Sequence, residues 1–156
     1  MHKPTLLAQI IVALEADAEV LRLAAQTAYE TATAEENVAE NKYDTLGLEA
    51  SYLATGQARR TAEIRQALLT YRQLQLRDFD PQKGIQVSHL VTLEMPEGGR
   101  RHLFLGPDAA GLKLAQGDVQ VTVITPRSPL GQQLLGKGLD DEVTLGTQTL
   151  VVVEVA

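Results

Sequence analysis

The chain has 156 residues, a formal net charge of −6 and no cysteine. Its length suits one ordinary domain or two small ones, and its acidic balance argues against a surface built chiefly for nucleic-acid phosphates. Without cysteine there is no disulfide framework, no thiolate nucleophile and no cysteine-based zinc site.

Glu15, Asp17 and Glu19 interrupt the apolar residues of the N-terminal segment, so neither a secretory signal nor a membrane span is expected there. The chain reads as a soluble cytoplasmic protein with no membrane partner.

From Leu6 to about Glu40 the sequence contains no proline and no glycine. Leu7, Ile11, Leu14, Ala18, Leu21, Ala25, Ala28 and Ala32 recur at alternating spacings of four and three, the heptad seam of a coiled coil. A second proline-free segment, about Leu48 to Leu76, carries the seam Ala54, Ala58, Thr61, Ile64, Leu68 and Tyr71. The first seam runs from bulky to small and the second from small to bulky. The gradients match only if the helices are antiparallel, so residues 1–76 are expected to form an antiparallel coiled-coil hairpin. A rise of about 1.5 Å per residue makes such a rod roughly 45–50 Å long. An intramolecular hairpin of this kind predicts a monomer, with a coiled-coil dimerisation module built from an intermolecular four-helix arrangement as the competing reading.

The period then changes. Residues 77–84, with Pro81 and Gly84 among polar neighbours, are expected to be a linker. Residues 85–156 are expected to form a sheet domain. Its predicted elements are a strand over Ile85–Leu93, a turn at Pro96–Gly99, and a returning strand at His102–Leu105. A short strand at Leu112–Leu114 and a longer one at Val119–Ile124 follow. Ser128-Pro129 then opens a short helix, with serine as cap and proline at the first helical position. Leu130, Leu134 and Leu135 give it an apolar side, and Gly136 supplies a left-handed stop. Strands at Asp141–Leu145 and Thr147–Val155 close the chain. The expected class is α+β, five or six short strands around one short helix.

Strand, S-P-L-G-x-x-L-L-G-K helix and D-E-V strand together resemble the C-terminal domain of the Gre family of bacterial transcription elongation (transcript-cleavage) factors. Phe104-Leu105-Gly106-Pro107-Asp108 is similar to that family's strand-end turn, and Glu40-Asn41-Lys42-Tyr43 to the E-N-A-E-Y stretch at its rod tip. The resemblance spans nearly the whole chain. It implies a coiled-coil hairpin joined to an antiparallel sheet domain like that of FK506-binding prolyl isomerases. The implied partner is RNA polymerase, whose secondary channel receives the hairpin, with nascent RNA met inside that channel.

The implied reaction is hydrolysis of backtracked RNA by the polymerase's own active site. The protein is then not an enzyme but at most a stimulator, with no cofactor of its own. Mg²⁺ at the polymerase site would be shared with the tip, because Mg²⁺ commonly takes one or two carboxylates plus phosphates and waters. Residues 35–49 hold Glu35, Glu36, Glu40, Asp44 and Glu49, and a continuing helix would place Glu36, Glu40 and Asp44 on one face. The candidate catalytic residues are Glu40, Asp44 and Glu36, with Glu40 and Asp44 as metal contacts. One departure stands out: where the family carries an aspartate three residues before the tip glutamate, this chain has Asn37. Two versions therefore stay open, a cleavage stimulator and a channel-occupying regulator or inhibitor that does not cleave.

Arg59 and Arg60 are candidate nucleic-acid contacts, with salt bridges to Glu30 or Glu35 as the competing reading. Asp108, Ser128 and Pro129 are candidate partner contacts. His2, His89 and His102 lack ligand spacing. Two phenylalanines and no tryptophan leave too few aromatics for a prolyl-isomerase pocket.

Overall fold

A computed structural model describes residues 1–33 and 45–156. The fold is α+β. Two long helices, α1 (Lys3–Thr33) and α2 (Thr45–Arg72), precede six strands and one short helix. The strands are β1 (Leu90–Glu94), β2 (Arg100–Leu105), β3 (Lys113–Gln116), β4 (Val119–Ile124), β5 (Glu142–Leu145) and β6 (Gln148–Val155), and α3 (Pro129–Leu134) lies between β4 and β5. The chain divides into two compact units, Val12–Leu69 and the remainder, Met1–Ile11 with Thr70–Ala156. The ends of both long helices thus belong with the sheet.

In the helical unit Leu14 is buried, and beyond it Ala18, Leu21, Ala25 and Ala28 are half-buried at the heptad spacing, with Ala24 half-buried beside them. In α2 the sheltered set is Gln57, Thr61, Ile64, Ala67 and Leu68, whereas Ala58 is exposed. In the sheet unit the buried residues of α1 are Leu6 and Ile10, with Leu7 and Ile11 only half-buried. The predicted seam is therefore displaced by one residue before Leu14. There α1 packs in the sheet unit, whose demands differ from those of a helix partner. Gln9 Nε2 donates to the Ala115 carbonyl at 2.8 Å, and the Lys3 ammonium donates to the Arg77 carbonyl.

The sheet has the order β3-β4-β2-β1-β6-β5, antiparallel except for the β2–β4 pair. Its main core gathers Val91, Leu93, Leu103, Leu105, Val143, Leu150 and Val152 beneath Leu134 of α3 and Ile85. The β1–β2 connection turns at Met95–Gly99, with the Met95 amide donating to the Gly99 carbonyl at 2.7 Å.

Residues 77–89 are bonded into the sheet unit. Asp80 builds a turn, its Oδ1 accepting from the Gln82 amide and its carbonyl from Gly84. The Ile85 amide donates to the Lys137 carbonyl, and Gly136 donates back to Ile85. Gly84 is obligatory, since at φ +77° a Cβ would stand 2.3 Å from the Gly136 carbonyl oxygen. The strand predicted from Ile85 begins only at Leu90, because Ser88 takes φ 85° and breaks the extended run. Ser88 is nonetheless fully buried, with its hydroxyl accepting from the Arg77 amide at 2.8 Å.

Candidate functional site

The expected catalytic and metal-contacting carboxylates, Glu36, Glu40 and Asp44, lie outside the described residues, as do Glu35 and Asn37. Among the described residues no three His, Asp or Glu side chains stand close enough to hold a metal ion. Arg59 and Arg60 are exposed on α2. Arg60 pairs with Glu63 one turn along its own helix at 3.3 Å, an exposed pair worth a few tenths of a kcal/mol at most. Glu30, one of the expected acceptors for these arginines, takes a bond from Gln26 Nε2 at 3.2 Å.

The α3 motif is built around its cap. Ser128 has extended backbone angles (φ −74°, ψ 152°), and its Oγ accepts from the Gly131 amide at 3.2 Å while donating to the Thr125 carbonyl at 2.7 Å. The Ser128 amide donates to the same carbonyl at 3.0 Å. Pro129 occupies the first helical turn and is exposed. Gly131 touches the Thr125 backbone so closely that a Cβ would lie 1.9 Å from its oxygen. Leu134 enters the core, Leu130 packs against it, and Leu135 stays exposed. Gly136 ends the helix at φ 80° as expected.

Asp108 is tied to Tyr71. The Tyr71 hydroxyl donates to the Asp108 carbonyl at 2.5 Å, and Asp108 Oδ1 accepts from the Ala109 amide at 2.7 Å. Burial pushes the Tyr71 phenol far above its ordinary range, so it stays a neutral donor at any physiological pH. Gly106 makes room for this ring, since a Cβ there would meet the Tyr71 oxygen at 2.2 Å. The Phe104–Asp108 motif is therefore the seat of the last α2 turn. The side-chain Oδ2 of Asp108 is its remaining capacity for an external donor.

His89 is fully buried beside this region. Its Nδ1 accepts from the Gln86 amide at 2.8 Å, which leaves Nε2 as the protonated nitrogen, facing the Asp78 carbonyl at 3.3 Å. Phe79 packs edge-on at 5.7 Å. Desolvation lowers the imidazole pKa, with Lys3 and Arg77 adding to the effect and Asp78 opposing it. The residue is a structural neutral histidine.

The pairing registers create a surface that periodicity alone does not reveal. Lys113 stands opposite Thr122, and Thr122 opposite Leu103, so these side chains share one face. Arg101, two residues from Leu103, shares it too. The six residues of α3 cannot cover this part of the sheet, which leaves an open cleft of about 610 Å³ lined by Arg100, Arg101, Lys113, Asp118, Ile124 and Leu130 among others. Residues 85–156 hold five Lys and Arg against eight Asp and Glu, and three of the five cations meet here. The cleft offers carboxylate or phosphate oxygens a local positive field within an acidic chain. The only sequence signal for it was the Arg100-Arg101 pair, which needs the strand register to be read.

No protein-family model matches the chain, and no curated protein does. Solved structures of Gre-factor homologues do resemble it over most of its length. GreA factor homolog 1 (Gfh1) of Thermus thermophilus is 19% identical over 94% of each chain, with a TM-score of 0.38. A structure of the transcription factor Gfh1 is 20% identical, covering 93% of this chain and 92% of its own, with a TM-score of 0.39. Thermus aquaticus Gfh1 is 20% identical over 92% and 91%, with a TM-score of 0.38. At this identity and superposition, function has to be argued from the chain's own residues. Among the described residues no helix is long and apolar enough to cross a membrane.

Proposed function

We propose that the chain is a Gre-like regulator that binds RNA polymerase, with its sheet unit docking on the enzyme and its helical unit entering the secondary channel. One observation carries the reading. The run read as the family's strand–helix–strand signature folds as β4, a Ser128-capped helix, a left-handed Gly136 and β5. Asp108, Ser128 and Pro129 are the docking contacts of this proposal, and Arg59 and Arg60 face nucleic acid in the channel. The Glu36, Glu40 and Asp44 carboxylates, outside the described residues, are the groups this proposal assigns to the polymerase's catalytic site. In this reading the chain performs no reaction alone: Glu40 with Asp44 or Glu36 orients the attacking water, and polymerase-bound Mg²⁺ supplies the charge stabilisation.

The sequence also favours a second version, in which the chain occupies the channel without promoting cleavage. Asn37 stands where the family carries an aspartate, and a neutral amide is a weaker Mg²⁺ ligand than a carboxylate. Co-purification with core RNA polymerase, followed by crosslinking from a photoreactive residue at position 44, tests the partner. A crosslink near the catalytic centre is expected, and failure to bind core enzyme sinks the proposal. Shortened RNA from backtracked complexes at saturating protein selects the first version, and its absence with binding intact selects the second.

A further inference from the structure

Helix α1 has a second apolar face that nothing among the described residues covers. Val12 is 63% exposed, Val20 65% and Leu23 50%, and Ala16 and Thr27 are exposed with them. At about 100° per residue these five lie within roughly 80° of arc, some 160° away from the buried Leu14–Ala28 seam. The Thr27 hydroxyl is spent on the Leu23 carbonyl at 3.0 Å, so it adds little polarity to the stripe. The residues 12-16-20-23-27 are spaced by fours and one three, which keeps them on one helix face as a contiguous stripe and not a scatter of single surface residues.

Three of the four charged side chains of this stretch are gathered on one side, with Asp17 on the other. Glu15, Glu19, Arg22 and Gln26 occupy one flank of the stripe. At present Glu19 and Arg22 pair within the helix at 2.9 Å, both more than half exposed, and Arg22 also reaches Gln26. Now consider a second α1 laid antiparallel across the stripe with a two-fold axis at Val20. Val12 then lies level with Ala28 of the other copy, one residue from Thr27 on its stripe, and Ala16 level with Ala24, one residue from Leu23. On the flank, Arg22 meets Glu19 and Gln26 meets Glu15, each contact occurring twice by symmetry. A parallel pairing offers neither contact, because that flank would then face the one bearing Ala13, Asp17 and Ala24, whose single charge, Asp17, comes nearest in level to the like-charged Glu19. The row is self-complementary in one orientation only, as an isologous interface must be.

We infer that this chain forms a homodimer through the Val12–Thr27 face of α1, antiparallel and two-fold about Val20. The hairpin monomer is the low-concentration state of the same equilibrium. Docking exchanges the intrahelical Glu19–Arg22 pair for its interchain counterpart, so the charges lose little while the stripe leaves water. The inference stands independently of any polymerase.

Sedimentation equilibrium of the full chain over a micromolar-to-millimolar series tests it, with circular dichroism confirming that the exposed substitutions leave the fold intact. The expected mass rises from 16.9 kDa to twice that value, and Val20→Glu raises the dimer dissociation constant at least tenfold. Glu19→Arg weakens the dimer and Glu19→Arg with Arg22→Glu restores it. Single cysteines fix the orientation in this cysteine-free chain: Val20→Cys crosslinks to itself, whereas Val12→Cys does not but does crosslink to Thr27→Cys. A protein that stays monomeric throughout, or a dimer indifferent to Val20→Glu, overturns the inference. Self-crosslinking of Val12→Cys as efficient as that of Val20→Cys refutes the antiparallel arrangement.

Discussion

Gly131→Ala separates helix propensity from packing, because the two arguments predict opposite signs. Replacing a helical glycine by alanine gains about 1 kcal/mol on propensity alone. At Gly131, however, the new Cβ would stand 1.9 Å from the Thr125 oxygen, about 1 Å inside any tolerable contact, and 2.7 Å from its carbon. The obstacle is backbone, held by both the amide and the hydroxyl of Ser128. Relief requires α3 to shift, which forfeits the cap at about 1 kcal/mol and adds an overpacking cost of about 1–3 kcal/mol. Net destabilisation is therefore about 1–3 kcal/mol, which lowers Tm by about 3–9 °C at this chain length. Gly56→Ala is the control, also inside a helix but with nothing within 4 Å of its Cβ, and it is expected to stabilise by up to about 1 kcal/mol. Scanning calorimetry of both variants decides the matter. An unchanged or raised Tm for Gly131→Ala refutes the packing argument for α3.

Three further outcomes follow from the same geometry. Tyr71→Phe strands the Asp108 carbonyl at the last α2 turn and is expected to cost about 1–3 kcal/mol in chemical denaturation; a change under about 0.5 kcal/mol would mean that water replaces the hydroxyl. Gln133→Ala removes the amide that pairs with Thr144 N–H and C=O of β5, both at 2.8 Å. It is expected to cost about 0.5–1.5 kcal/mol and to raise the aggregation rate by opening that strand edge. His89 is held neutral, with its folded pKa below the ordinary 6.5. Between the two pKa values the unfolded chain binds the extra proton. Stability is thus full above about pH 6.5 and falls as acid is added towards the folded pKa, by linkage. His89→Asn should flatten the stability–pH curve over that window, and a slope identical to that of the parent would assign it to other groups.

The fold class was legible because period carries it: heptads in the first half, and alternation with turn residues in the second. The α3 motif was the most legible piece, since the Ser128 cap, the Pro129 start and the Gly136 stop are each decided by local backbone chemistry. The strand expected at Ile85 was not, because Ser88 adopts a left-handed conformation that residue type does not signal and tertiary bonds enforce. The Leu7–Ile11 register failed for a related reason. Either Leu6 and Ile10 or Leu7 and Ile11 gives a helical stripe, and only the packing of the sheet unit chooses between them. The basic cleft needed the pairing of β2 with β4, a contact that no local pattern encodes.

The same limit explains why α1 yields two surfaces where the heptad count finds one. Heptad reading selects the best seam and treats the remaining residues as solvated, yet in α1 the charged side chains of residues 12–28 crowd largely into one sector. A single partner helix shelters about a third of a helix circumference. The Leu14–Ala28 side uses that allowance, and Val12, Val20 and Leu23 remain in water although aqueous solubility alone would favour glutamate or lysine there. An apolar surplus on one helix face is therefore better explained by a second helical contact than by the folding of α1 itself, to which that exposed face contributes nothing.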